Sequence, residues 1–216
     1  MNTRIRPQKR WILLALSCFG ILLASCAEDP LAPPDLVEGR FIAGDISKTQ
    51  KTLPQRILPV DWSVQDPGAL NFDEAPTLSP SGYLVLGFSQ VLQGSSIETI
   101  NGDPNKITGF TAIPGVIEIT QNNISLPASA YAITYRPDGG YIAPPDTSFS
   151  DQPLPAIDIQ FTTPLTAGAN ITIYVIAGTV ANTDGAPMQA QQKDGAQVKS
   201  PSGKPVAGAI LFRVSQ

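Results

Sequence analysis

Ile157-Asp-Ile-Gln-Phe161 alternates apolar and polar side chains, so an extended backbone puts Ile157, Ile159 and Phe161 on one side and Asp158 and Gln160 on the other. That period of two marks a strand with one face in a core and one toward solvent. The same reading extends outward to Leu84-Val-Leu-Gly-Phe88, where Leu84, Leu86 and Phe88 share a face. In Asn170-Ile-Thr-Ile-Tyr-Val-Ile176, the set Ile171, Ile173 and Val175 opposes Thr172, Tyr174 and Ile176. These three apolar sets are expected to form an inner layer. Around them, short runs rich in β-branched and aromatic residues, separated by Gly, Pro, Asn and Asp, place strands at 57–64, 83–88, 115–120, 131–135, 156–161, 170–176 and 209–214. Past residue 25 no ten-residue segment sustains a helical period. Seven short strands without a helix predict an all-β sandwich of antiparallel sheets.

The beginning of the chain has a different character. Arg4, Arg6, Lys9 and Arg10 precede the apolar run Trp11–Ala24, and no acidic residue occurs before Glu28. A basic start followed by a short apolar run reads as an export signal over 1–25. The run is 14 residues long, against the roughly 20 that a membrane-crossing helix needs. It ends in Leu23-Ala24-Ser25-Cys26, which resembles the lipobox of bacterial lipoprotein precursors. The resemblance implies cleavage before Cys26, a diacylglycerol on its sulfur and an acyl group on its new amino terminus. Three chains would make the attachment effectively permanent, since each buried methylene contributes about 0.8 kcal/mol. In Gram-negative lipoproteins an aspartate after the cysteine favours the inner membrane; Ala27 stands there, which favours the outer membrane.

Removing 1–25 takes away four basic residues and no acidic one, leaving 10 Lys and Arg against 18 Asp and Glu, a net charge of −8. Such a surface repels nucleic acid and anionic headgroups, so the lipid is the expected membrane contact. Cys18 lies in the cleaved part and Cys26 is consumed by lipid, so the fold needs a core without a disulfide. The chain has no histidine. That excludes Ser-His-Asp and Cys-His catalysis and histidine zinc sites. Residues 26–56, with Pro30, Pro33, Pro34 and Pro54, read as a flexible tether able to span several tens of Å at roughly 3.1 Å per residue, and 57–216 as the folded domain. Within the tether, the patch 36–42 is left open between a turn and a strand.

Three stretches, in order, resemble the bacterial Ig-like domains of the S-layer-protein (SbsA) type. They are Leu84-Val-Leu-Gly-Phe-Ser-Gln-Val-Leu92 with Ser95-Ser96-Ile97, then Ile157-Asp-Ile-Gln-Phe-Thr-Thr-Pro-Leu-Thr-Ala-Gly168, then Asn170–Ile176 followed by Ala181-Asn-Thr-Asp-Gly-Ala-Pro-Met188. Gly168 and Gly185 stand where turns need positive φ or close backbone approach. The resemblance implies an immunoglobulin-like β-sandwich of about seven strands, used as a module of surface proteins without a shared catalytic centre. The chain departs from that pattern over 136–155 and over the polar stretch 189–208.

Chemistry-bearing residues are sparse. Asp138, Asp146 and Asp151, or Asp184 and Asp194, could offer oxygens to calcium, but without the dense acidic spacing of a calcium loop; no metal or other cofactor is expected. No carboxylate pair is pinned for glycoside hydrolysis. Tyr131 and Tyr135 share a strand face that could stack on sugars but reads better as packing, as does Trp62. Ser79-Pro-Ser-Gly82 and Ser200-Pro-Ser-Gly203 read as flexible links. The segment 136–155, interrupted by five prolines, carries Tyr141 and Phe149, an apolar pair with an acidic rim; these are the candidate ligand-binding residues. The sequence therefore points to binding or spacing of another envelope component, a protein, glycan or surface layer, rather than to an enzyme. The alternatives are a purely structural lipoprotein and a carbohydrate-binding module.

Overall fold

The computed structural model describes residues 31–43, 55–90, 92, 115–136 (backbone alone at 134–136) and 155–216. Along these, the strands are β1 (Leu36–Ala43), β2 (Gln55–Ile57), β3 (Thr77–Leu78), β4 (Gly82–Phe88), β5 (Ile117–Gln121), β6 (Ile124–Ser125), β7 (Tyr131–Arg136), β8 (Ala156–Phe161), β9 (Asn170–Ile176), β10 (Gln192–Lys193), β11 (Ala196–Gln197) and β12 (Val206–Val214). The described residues hold one 3-10 turn, Ala128–Ala130, and no longer helix. The chain is an all-β sandwich, as the alternation predicts.

One sheet has the order β2-β1-β4-β8-β7 with every neighbour antiparallel. A second has the order β3-β12-β9-β5-β6, antiparallel except where β3 runs parallel to the end of β12, and β10 and β11 pair in a separate two-stranded ribbon. Leu84, Leu86 and Phe88, Ile157 and Ile159, and Ile171, Ile173 and Val175 all lie in one buried cluster with Ile210 and Phe212. The three predicted faces therefore do form the inner layer. Phe161 is the partial exception, half-buried at the far end of β8. The sheets approach most closely where β1 meets β12: a Cβ on Gly39 would lie 2.9 Å from Ile210 Cδ1, and one on Gly208 3.0 Å from Leu36 Cβ. Two side-chain-free positions thus set the spacing of the layers there.

Two expectations need correction. The tether does not reach residue 56: Ala32–Gln216 forms one compact unit, and β1 sits inside the first sheet between β2 and β4. Its pattern is hard to read because Gly39 and Phe41 point inward while Glu38, Arg40 and Ile42 point outward, mixing charges with apolar groups on one face. The strand expected over 57–64 stops at Ile57. Pro59 lacks the N–H that a ladder needs, and Asp61 turns the chain by accepting from Ser63 N at 2.9 Å through its side chain and from Val64 N and Gln65 N through its carbonyl. The same segment moves from one sheet edge to the other, because Val60 N donates to Ala209 O on β12 at 2.8 Å.

The outward face of β8, expected to meet solvent, is covered at Asp158, and so is the outward face of β9. Asp158 is 1 % exposed, and Thr172, Tyr174 and Ile176 are buried. Over the second sheet the cover comes from the stretch before β12: Val198 packs with Trp62 on Tyr174, Ile176, Val206 and Ala209 in a cluster outside the inner layer. Trp62 is thus a packed side chain.

Candidate functional site

Cys26, Tyr141, Phe149, Asp138, Asp146 and Asp151 lie outside the described residues, as does the Tyr135 side chain. Tyr131 is buried in the inner cluster, where its hydroxyl donates to Ile117 O at 3.4 Å; packing, not an exposed stacking stripe, accounts for it. Asp184 and Asp194 occupy separate turns, and among the described residues no group of three or more His, Cys, Asp or Glu comes together. Gly168 and Gly185 take φ of 72° and 82°, as their turns require. Nor, among the described residues, is any helix long and apolar enough to cross a membrane.

Two polar constellations went unnoticed in the sequence. The first is built on β5, where Ile117 and Ile119 point inward and Glu118 therefore points outward. Glu118 is 7 % exposed. It accepts from Ser125 Oγ at 2.8 Å, Ser200 Oγ at 2.6 Å and Ser202 N at 3.2 Å, and also from Ser202 Oγ. Burial alone would push this carboxyl up, but the Ser200, Ser202 and Ser125 hydroxyls and the Ser202 amide outweigh it and hold the carboxyl below its ordinary range. Burial, and after it the Glu118 charge, pushes the Tyr131 hydroxyl up. Tyr174, opposite Glu118 in the ladder, is likewise pushed up by burial against a hydrogen bond with Thr172, with the Glu118 charge adding to the rise. A carboxylate so stabilised is a poor base, and Ser200 is itself buried. The arrangement can hold; it has neither the basicity nor the access to react. Ser200-Pro-Ser-Gly203 is accordingly no flexible link, since its hydroxyls clamp the cover that precedes β12 onto the sheet. Ser79-Pro-Ser-Gly82 is also engaged: Leu165 N donates to Pro80 O at 2.8 Å.

The second constellation lies on the outward face of the first sheet. Glu38, 4 % exposed, is gripped by Arg40 on Oε1 and by Arg56 Nε on Oε2 at 2.8 Å. Beside Arg56 the two sheet edges leave a groove of about 420 Å³. Leu58, Val64 and Leu211 give it apolar walls and Asp61 and Glu74 an acidic rim. A shallower polar hollow continues it past Asp61 toward Gln191, Lys193 and Asp194.

Against known protein families, curated proteins and solved structures, the chain has no match. The functional reading accordingly stands on the residues themselves.

Proposed function

We propose that the chain is a bacterial envelope lipoprotein, anchored through a lipidated Cys26, whose sandwich is of the immunoglobulin-like type and binds or spaces another envelope component without catalysing a reaction. The single observation that carries it is Leu23-Ala24-Ser25-Cys26 at the end of a basic and then apolar leader, with Cys26 the one cysteine of the chain that follows. The Ig-like type is supported by strand order. The orders β1-β4-β8-β7 and β12-β9-β5 correspond to the A-B-E-D and G-F-C sheets of that fold. A non-catalytic role is supported by the lack of histidine and by the locked state of Glu118. The outer membrane is the proposed address, from Ala27 after the cysteine.

Cys26→Ser tests the anchor. The expected result is unprocessed or soluble protein with no acyl label; normal membrane fractionation together with palmitate incorporation in that variant sinks the reading. For the partner, the proposal keeps Tyr141 and Phe149. Replacing 138–153 by a short Gly-Ser linker should abolish capture of the envelope partner while leaving the thermal midpoint near wild type, and unchanged affinity removes the loop from the proposal.

A further inference from the structure

The groove between the sheet edges has a chemistry of its own. Leu58 and Val64 are 65 % and 76 % exposed and face the same groove, an arrangement that leaves apolar surface in water at a cost unless something covers it. Four large hydrophobic side chains are exposed among the described residues, and these are two of them. The volume, about 420 Å³, suits one or two side chains of a ligand rather than a protein surface. The rim sets the sign of charge. Asp61 and Glu74 are exposed there, whereas the two cations near them are engaged, Arg56 by Glu38 at 2.8 Å and Lys193 by Ser63 O at 2.6 Å. The Ser63 side chain and amide, and Lys193 nearby, hold the Asp61 carboxyl below its ordinary range.

Strand addition is a poor way to fill this groove. The edge strands β2 and β3 span three and two residues, and Pro59 and Pro76 remove backbone donors beside them. Recognition must then run through side chains, apolar at the centre and cationic at the flanks. We propose that the groove binds an extended peptide segment in which one or two apolar side chains are flanked by lysine or arginine. This goes beyond the anchored-module reading: it uses a different part of the chain from 136–155 and stands whether or not Cys26 is lipidated.

The test uses the full chain in nonionic detergent and three fluorescein-labelled hexapeptides with a Leu-Val centre, flanked by lysine, serine or glutamate, read by fluorescence anisotropy. The lysine peptide should bind saturably and at least about tenfold more tightly than the glutamate peptide, with affinity falling as salt rises. The double variant Leu58→Ser, Val64→Ser should lose at least about tenfold. Asp61→Asn with Glu74→Gln should bring the lysine peptide down to the serine peptide. All four positions are exposed or at the surface, so melting curves of the variants should overlay the wild type. Equal affinity for the three peptides would mean a merely apolar or lipid-accepting groove and overturns the proposal. So does the absence of saturable lysine-peptide binding, or wild-type affinity in the Leu58/Val64 variant.

Discussion

Glu38 and Glu118 are both buried carboxylates on the outward face of a sheet, one on each side of the sandwich, yet they are neutralised by different chemistry. Glu38 sits between two arginines, and the group it holds in place is β2, whose Arg56 is opposite Arg40 in the ladder. Glu118 has no cation among its partners in the cage, but three serine hydroxyls and one amide. A guanidinium can only donate, whereas a hydroxyl can turn and accept. The first arrangement is therefore intolerant of losing its negative charge. The second should adapt to a neutral amide.

The largest effect should come from removing one side of the comparison outright. A chain beginning at residue 57 lacks β1, with Glu38 and Arg40, and all of β2 but Ile57; it should fail to give a cooperative melt by circular dichroism, while one beginning at residue 32 should melt as a single β-rich unit. Native-like melting of the shorter chain would show that β1 is dispensable. Next, Glu38→Gln takes from Arg40 and Arg56 the carboxylate they share and should cost about 3 kcal/mol in urea unfolding. Glu118→Gln should cost less, roughly 1–2 kcal/mol, because the serines can reorient. A larger loss at Glu118 than at Glu38 would reverse the argument.

Acid gives a separate test of the Glu118 side. The Glu118 carboxyl titrates lower when folded than its ordinary 4.5, so its stabilisation is complete above that value and drains away as the pH falls through it toward the folded value. In a chain beginning at residue 32, Trp62 is the sole tryptophan, and it packs in the cluster that the cage secures. Its emission should report the acid transition, and Glu118→Gln should remove that component of the pH dependence. A pH profile identical in wild type and Glu118→Gln would unseat the cage as the acid-sensitive element. The smallest effect belongs to Arg56, whose side chain is 45 % exposed. Arg56→Ala should cost under about 1 kcal/mol and shrink further in 1 M salt, since Arg40 still holds Glu38.

Most of the inner layer was legible because alternation is a local property. Leu84, Leu86, Ile157, Ile159, Ile171 and Ile173 each needed only their immediate neighbours to be placed. The covered outward faces were not legible, because what covers them comes from far along the chain. Ser200 and Ser202 reach Glu118 from more than eighty positions away, and a Ser-Pro-Ser-Gly string has the composition of a linker whether or not a carboxylate waits for it. The one available hint was Glu118 itself, an acidic residue between isoleucines in a strand. β1 was masked for a related reason: Gly39 and the charges of Glu38 and Arg40 look like linker residues until β12 and β2 are beside them. Of the proposed site, Cys26 is a purely sequence-borne signal, while the groove depends on Leu58, Val64 and Leu211 meeting across the sheet edges.

Asn182 limits how much chain can lie between Cys26 and the sandwich. Its amide donates to Ala32 O at 2.9 Å across 150 positions of sequence, and to Gln90 Oε1, while its oxygen gathers the amides of Asp184 and Ala186. Ala32 is thus moored six positions after Cys26, and a fully drawn-out chain of that length reaches only about 20 Å. For the lipid proposed on Cys26, the sandwich would ride on a short leash, and a pull on the anchor would bear on a buried asparagine.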